Sequence, residues 1–207
     1  MKVKHIHNTP EAEKLIAYCA RVSNPANQNN EKIEQLLAYC IKAQHWSIFE
    51  MATLCLEIKT SRGLAAQILR HKSFSFQEFS QRYAKSTTNE MYEARRQDTK
   101  NRQNSIDDMS SDDKDWFLNA QMEVWDKCYT LYQEGLDRGL AKEQARFLLP
   151  LSTGTTLYMH GNLRSWITYI NLRLENGTQQ EHSDIAKECQ KIFIEQFPII
   201  SKALGWL

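Results

Sequence analysis

The chain has 207 residues, with 26 Lys and Arg against 25 Asp and Glu for a net charge of +1, and it is 42% hydrophobic and 25% charged. That length suits one domain with a sizeable core, and the composition is that of a folded protein. The near-neutral balance leaves no global basic footprint, so no nucleic-acid partner is expected, although local basic clusters still suit a small phosphorylated ligand. No run of about 18 apolar residues occurs, so no membrane span is expected. The start, Met1 to His7, does not read as a signal peptide, and the expected location is cytoplasmic. Cys19, Cys40, Cys55, Cys128 and Cys189 are odd in number, far apart and set among apolar residues. They read as reduced buried thiols, and without a CxxC spacing no metal site is expected.

In chain order, residues 2–7 alternate like an edge strand. Thr9 and Pro10 predict a helix start, running to Ala20 and burying Leu15, Ile16 and Cys19. Arg21 to Pro25 breaks it, and 24–30 is a loop by composition. Asn30 is read as the cap of a second helix, in which Ile33, Leu36, Leu37, Cys40 and Ile41 recur at helical spacing. A polar and aromatic connector, 44–50, leads to a strand from Met51 to Lys59 built on Leu54, Leu56 and Ile58. Ser61 caps a helix from Arg62 to Leu69, which delivers a dense polar stretch from Arg70 to Tyr83. A helix persisting that far would set Gln67, Arg70 and His71 on one face. Beyond a turn expected near Gln77, an extended segment would place Glu78, Ser80 and Arg82 on one side.

Residues 97–115 hold almost nothing apolar and read as a mobile surface insertion within one domain spanning 1–207. A long helix follows, Trp116 to Leu136, with Trp116, Ala120, Val124, Cys128, Leu131 and Tyr132 as its stripe and Gly135 and Gly139 at its end. A helix from Ala141 to Leu149 stops at Pro150. Leu151 to Met159 fits a strand. Gly161-Asn162 opens a helix to Leu174 with Leu163, Trp166, Ile167 and Ile170 inward. After a turn at Asn176-Gly177, a last helix runs from Glu181 to Phe197 on Ile185, Cys189, Ile192 and Phe193, with Pro198 beyond it. Few strands, many helices and no regular βαβ alternation predict an α+β fold, helices on a small mixed or antiparallel sheet.

Polar residues left over from the core fall in three places: Arg70 to Tyr83, Arg146, and the helix bearing Asn162, Arg164 and Arg173. A lone arginine is usually solvated or ion-paired. Arg173, set among Ile170, Leu172 and Leu174, does not have that setting. Guanidinium forks and serine hydroxyls suit phosphate, and a glutamate and glutamine suit the edge or sugar of a nucleotide. Neither GxGxxG nor GxxxxGK[ST] is present, nor HExxH. Three histidines, His45, His71 and His160, each read as ordinary structural residues.

Arg70-His71-Lys72 with Glu78-Phe79-Ser80-Gln81-Arg82-Tyr83 resembles the signature of the flavin-dependent thymidylate synthases. Further blocks in the same order are Ala20-Arg21-Val22-Ser23, His45 to Glu50, Gln67, Ala145-Arg146 with Leu149-Pro150-Leu151, Asn162 with Arg164-Ser165, and Asn171-Leu172-Arg173. The resemblance implies methylation of dUMP to dTMP with FAD, NADPH as reductant and methylene-tetrahydrofolate as carbon donor, without a cysteine nucleophile. It implies that Gln67, Arg70, Glu78, Ser80, Gln81, Arg82, Arg146 and Arg173 bind the nucleotide, with Arg173 catalytic through stabilisation of charge at the pyrimidine N3. It implies that Ser47, Arg70, His71, Lys72, Glu78, Asn162, Arg164 and Thr168 contact FAD. It further implies a homotetramer with sites shared between subunits. Lys72, Thr168, Gly177, Ile48 and Met51 depart from the residues usual in that family. Alkylation of another pyrimidine nucleotide such as dCMP, and a nucleotide- or flavin-binding module without turnover, are the competing readings.

Overall fold

A computed structural model describes residues 1–207. Six strands form: β1 (Lys2–Asn8), β2 (Thr53–Ser61), β3 (Ser75–Glu78), β4 (Arg96–Gln97), β5 (Ser105–Ile106) and β6 (Gly154–Asn162). Eight α-helices accompany them: α1 (Ala12–Ala20), α2 (Glu34–Lys42), α3 (Arg62–Ile68), α4 (Ser111–Asp137), α5 (Lys142–Ala145), α6 (Leu163–Leu174), α7 (Gln180–Gln196) and α8 (Pro198–Ala203). The main sheet has the order β1-β2-β6-β3, every neighbour antiparallel, while β4 and β5 form a separate hairpin. The fold is thus α+β on a purely antiparallel sheet.

The two central strands set the core. In β2, Leu54, Leu56 and Ile58 share a face and are fully buried, and Leu157 and Met159 continue that face on β6. The opposite face carries Glu57 and Tyr158, whose hydroxyl donates to the Glu57 carboxylate at 2.9 Å. This is the one-sided alternation of an antiparallel sheet covered by helices on one side. Into the buried face α6 presses Leu163, Trp166, Ile167 and Ile170, as the periodicity predicts. Trp166 is fully buried, and its indole N–H donates to the Leu54 carbonyl at 2.9 Å, so the polar edge of the ring is satisfied. Phe74, edge-on to Trp166 at 5.0 Å, lies so close to β6 that a Cβ at Gly161 would meet its ring at 2.6 Å.

Several boundaries differ from the sequence expectation, each for a tertiary reason. Thr9 does not cap α1; it bonds β2 through Thr53, whose N–H donates to its hydroxyl at 3.0 Å. The chain then turns through Glu11 at φ 47° before α1, which buries Ala12, Ile16 and Ala17 rather than Leu15 and Cys19. Asn30 does not cap α2, because Arg21 holds the loop ahead of it. That buried guanidinium donates to the Asn30 and Lys32 carbonyls at 2.5 and 2.7 Å. No turn falls at Gln77. Residues 75–78 instead pair with the free edge of β6, and the turn comes after Glu78, with Tyr83 and Ala84 donating back to the Ser80 carbonyl. Glu78, Ser80 and Arg82 therefore do not share one extended face.

Within 97–115, Asp98 accepts from the Lys100 N–H at 2.8 Å and from the Asn104 side chain at 3.0 Å, holding the β4–β5 turn. Residues from Ser111 already belong to α4, whose cap is Ser110, accepting from the Asp113 N–H at 3.1 Å. The predicted stripe of α4 is not a core: only Tyr132 and Gly135 are buried, while Trp116, Val124 and Leu131 are exposed. The predicted helix 141–149 is α5 followed by a 3₁₀ turn at Arg146–Leu148. Pro198 opens α8 as its first residue instead of ending the chain's helices. No helix is long and apolar enough to cross a membrane.

Candidate functional site

Arg173 occupies the last turn of α6, and its setting explains why it is not a solvated arginine. Its Nε and NH2 lie 3.0 and 2.8 Å from Nε2 of His71, which sits in the turn after α3. A guanidinium can only donate, so His71 Nε2 accepts and the ring proton resides on Nδ1. Burial, then the charges of Arg173 and Arg70, pushes the His71 pKa down to about 4. The ring is thus neutral across the physiological range. Arg173 forms no ion pair within the chain: its one polar side-chain partner is this neutral imidazole. A half-buried cation without a counter-charge favours an electron-rich or anionic ligand.

Behind His71 stands an aromatic wall. Tyr169, one helical turn before Arg173, meets His71 edge-on at 4.8 Å. Its hydroxyl lies 3.1 Å from Nε2 of His182 on α7. Both Tyr169 and His182 are buried; burial, then Arg173 and His71, lowers the His182 pKa to about 3. His182 Nδ1 has no hydrogen-bond partner.

The other predicted residues fall into three separate sets. Gln67 donates to the Gln179 side chain at 2.6 Å, ahead of α7. Glu78 ends β3 and is held by Arg62 at 2.5 Å and by the Thr155 hydroxyl at 2.9 Å. Arg70 and Lys72 are exposed and form no ion pair within the chain. A second set joins Arg82 and Arg146 through Glu143: Arg82 Nε donates to its carboxylate at 2.8 Å and Arg146 Nε to its carbonyl at 3.1 Å. No hydrogen bond or ion pair links this set to His71 or Arg173. Ser80 braces the same turn, its hydroxyl 3.4 Å from the Arg82 N–H. Gln81 points inward, buried, donating to Ser86 at 2.9 Å.

The third set lies along the start of α6. Asn162 caps that helix, its side chain accepting from the Ser165 N–H at 2.9 Å. Arg164 donates to Glu50 at 2.6 Å, and Thr168 donates to the Arg164 carbonyl at 3.0 Å. Ser47 is exposed on the 3₁₀ turn Trp46–Glu50 that packs against α6. A cleft of about 340 Å³ between that turn and α6 is lined by Trp46, Ile167 and Thr168. Exposed cations at Arg70 and Lys72 suit a pyrophosphate, and the aromatic and polar walls of the cleft suit a heterocycle. Taken separately, these two features suit the parts of a flavin nucleotide.

Sequence reasoning missed Tyr169, His182, Glu143, Gln179 and Glu50. Two carried a local signal: Glu143 lies three residues before Arg146, and Tyr169 four before Arg173, the spacings of helical neighbours. His182 carried none, since only the packing of α7 on α6 brings it to Tyr169. A larger cavity, about 590 Å³, lies elsewhere, between the β4–β5 hairpin, the start of α4 and Glu181; it shares Gln179 with the Gln67 contact. Burial raises the thiols of Cys40, Cys55 and Cys189, away from the thiolate form a nucleophile needs.

Comparison with known proteins gives a consistent picture. The family model described as "thymidylate synthase complementing protein" matches residues 4–199. A protein of Paramecium bursaria Chlorella virus 1, described as a probable flavin-dependent thymidylate synthase, is 58% identical over 198 residues, covering 95% of this chain and 92% of the relative. A Synechocystis flavin-dependent thymidylate synthase is 57% identical over 194 residues, covering 94% and 90%. Among solved structures, a UMP/dUMP methylase of Streptomyces cacaoi bound to 5-Br dUMP superposes with a TM-score of 0.89 at 22% identity, over 100% of this chain and 95% of that one. At that identity the likeness is one of fold.

Proposed function

Because the chain belongs to the flavin-dependent thymidylate synthase family, we propose that it methylates dUMP at C5 to give dTMP, with methylene-tetrahydrofolate as carbon donor and NADPH as reductant. The observation that carries this reading is Arg173, a half-buried cation whose one polar side-chain partner is a neutral imidazole. A pyrimidine offers what Arg173 lacks, carbonyl oxygens and a nitrogen that gains negative charge as C5 becomes nucleophilic. A guanidinium placed there stabilises that charge most when it is most developed, which is differential stabilisation of the transition state. Bound FAD supplies the hydride chemistry of the reduction. Arg70, His71 and Lys72, with Ser47, Asn162, Arg164, Thr168 and Glu78, are the residues assigned to it. The neutral His71 offers its Nδ1–H as a donor while Nε2 takes Arg173.

Gln67, Arg70, Glu78 and Arg173 are assigned to one part of the nucleotide site, and Ser80, Gln81, Arg82 and Arg146 to another. Within one chain no hydrogen bond or ion pair joins Arg82 or Arg146 to Arg173 or His71, and Arg82 is neutralised by Glu143. That separation supports a homotetramer in which one subunit's Arg82 and Arg146 complete the site of another.

The test is direct. Protein supplied with FAD turns yellow, binding flavin near one per chain, and forms dTMP from dUMP only when methylene-tetrahydrofolate and NADPH are both present. The competing substrates dCMP and UMP are assayed in parallel. Failure to bind flavin overturns the reading, and faster turnover of dCMP or UMP replaces the substrate.

A further inference from the structure

The mechanism uses His71 and Arg173 but leaves one buried titratable group unexplained. His182 is fully buried, lies on a different element from either of them, and has one nitrogen without a partner. A polar ring placed so deeply is costly unless its position does something. Its surroundings are specific: Nε2 is 3.1 Å from the Tyr169 hydroxyl, and its ring meets His71 at 90° with centroids 6.2 Å apart. Tyr169 itself touches His71 edge-on at 4.8 Å. Three rings from α6, α7 and the turn after α3 thus close around one another, and Arg173 rests on the outer one.

We propose that His182 is a positioning residue, which through Tyr169 holds His71 in one orientation and one tautomer, Nε2 toward Arg173 and Nδ1–H toward the ligand. The chain of contacts has a definite direction. Hydrogen bonding to His182 locks the tilt of the Tyr169 ring. That ring is the surface against which His71 stands. Rotation of His71 about its χ2 would exchange the nitrogen presented to Arg173 for a carbon, leaving the guanidinium unheld. The charged and titratable groups facing His182 are Arg173, His71 and Tyr169, with Cys189 beyond Tyr169. Two of them oppose a proton on His182, so the wall remains neutral. The inference rests on the reading of Arg173 above, yet the state of His71 can be observed without turnover.

The experiment uses the full-length protein labelled with ¹⁵N-histidine, in which imidazole ¹H–¹⁵N correlations report each ring's tautomer. In the wild type, His71 shows a single neutral form with Nε2 unprotonated. In His182→Phe and in Tyr169→Phe, which removes only the hydroxyl, His71 shows exchange between the two tautomers. Flavin content is unchanged, and kcat for dTMP formation falls about tenfold at a similar KM. In an Arg173→Lys background the same substitutions add little, because the guanidinium that the positioned His71 holds is gone. His182→Gln, whose amide can still reach the Tyr169 hydroxyl, recovers part of the loss. An unchanged His71 spectrum in a folded variant overturns the proposal, as do losses that add fully to that of Arg173→Lys. If dUMP proves not to be the substrate, the spectra still decide whether His182 holds His71.

Discussion

The two longest helices behave differently. α7 buries His182, Ile185, Ala186, Cys189 and Phe193, packing against α6, β1 and α8. α4 is longer, yet it buries only Tyr132 and Gly135 and leaves Trp116, Leu118, Met122, Val124 and Leu131 exposed. One region is finished within the chain and the other is not. The functional residues divide in the same way. His71, Tyr169, Arg173 and His182 lock together inside the finished half, whereas Arg82 and Arg146 gather on Glu143 at the start of α5, just past the end of α4. Trp116, Val124 and Leu131 lie toward one side of that helix and Leu118 and Met122 toward the other, and large apolar side chains left exposed in this number mark an interaction surface. In the proposed homotetramer a second copy covers it, and the same contact brings the two sets of arginines together.

The comparison can be broken at its strongest point first. Trp166→Ala removes the largest fully buried side chain and leaves the Leu54 carbonyl without its donor. The expected cost is about 4 kcal/mol of folding stability, read as a large drop in the midpoint of denaturant unfolding. An equal truncation at exposed Trp116 should shift that midpoint little in the isolated subunit. Next, Arg173→Ala should remove about 3 kcal/mol of transition-state stabilisation, slowing dTMP formation on the order of 100-fold while flavin still binds. Turnover near that of the wild type would remove Arg173 from its assigned role. Smaller in intrinsic stability is Val124→Glu, a surface change within about 0.5 kcal/mol for one chain. Its expected readout is the mass in sedimentation: the assembly dissociates and activity falls, because a charge has been set in the face that a second copy buries. An intact tetramer with this substitution would show that the α4 stripe is not the interface.

The sequence makes the finished half legible and the unfinished half misleading, for the same reason. The periodicity of Leu54, Leu56 and Ile58, and of Leu163, Trp166, Ile167 and Ile170, records burial within the chain, and the structure places each as read. The stripe of α4 is apolar in the same way but stays exposed within the chain apart from Tyr132 and Gly135, so reading it as core fails. Boundaries went astray wherever a distant partner captured a local signal: Thr9 by Thr53, Asn30 by Arg21, residues 75–78 by the edge of β6. In the site, Arg173 stood out because its neighbours are apolar. Its partner His71 looked ordinary, and His182 was invisible, because their roles arise only when α6, α7 and the turn after α3 meet.

That hidden cluster also yields a change in how stability depends on pH. The folded-state pKa values of His71 and His182, about 4 and about 3, lie below their ordinary value of 6.5. Below pH 6.5 the unfolded chain takes up protons at these positions and the folded chain does not. Stability therefore falls as the pH is lowered from about 6.5 toward 3, and is fully present above that window. Carboxylates titrate over part of the same range, so the slope of the wild type alone is not diagnostic. The difference between wild type and His182→Phe is, because only one histidine is removed and every carboxylate is shared. The variant should lose stability less steeply between pH 6 and 4 (on the order of one proton fewer), so that plots of unfolding midpoint against pH converge as the solution becomes acidic. Parallel plots would mean that His182 accepts a proton in the fold as readily as in the unfolded chain, and the neutral wall behind His71 would not exist.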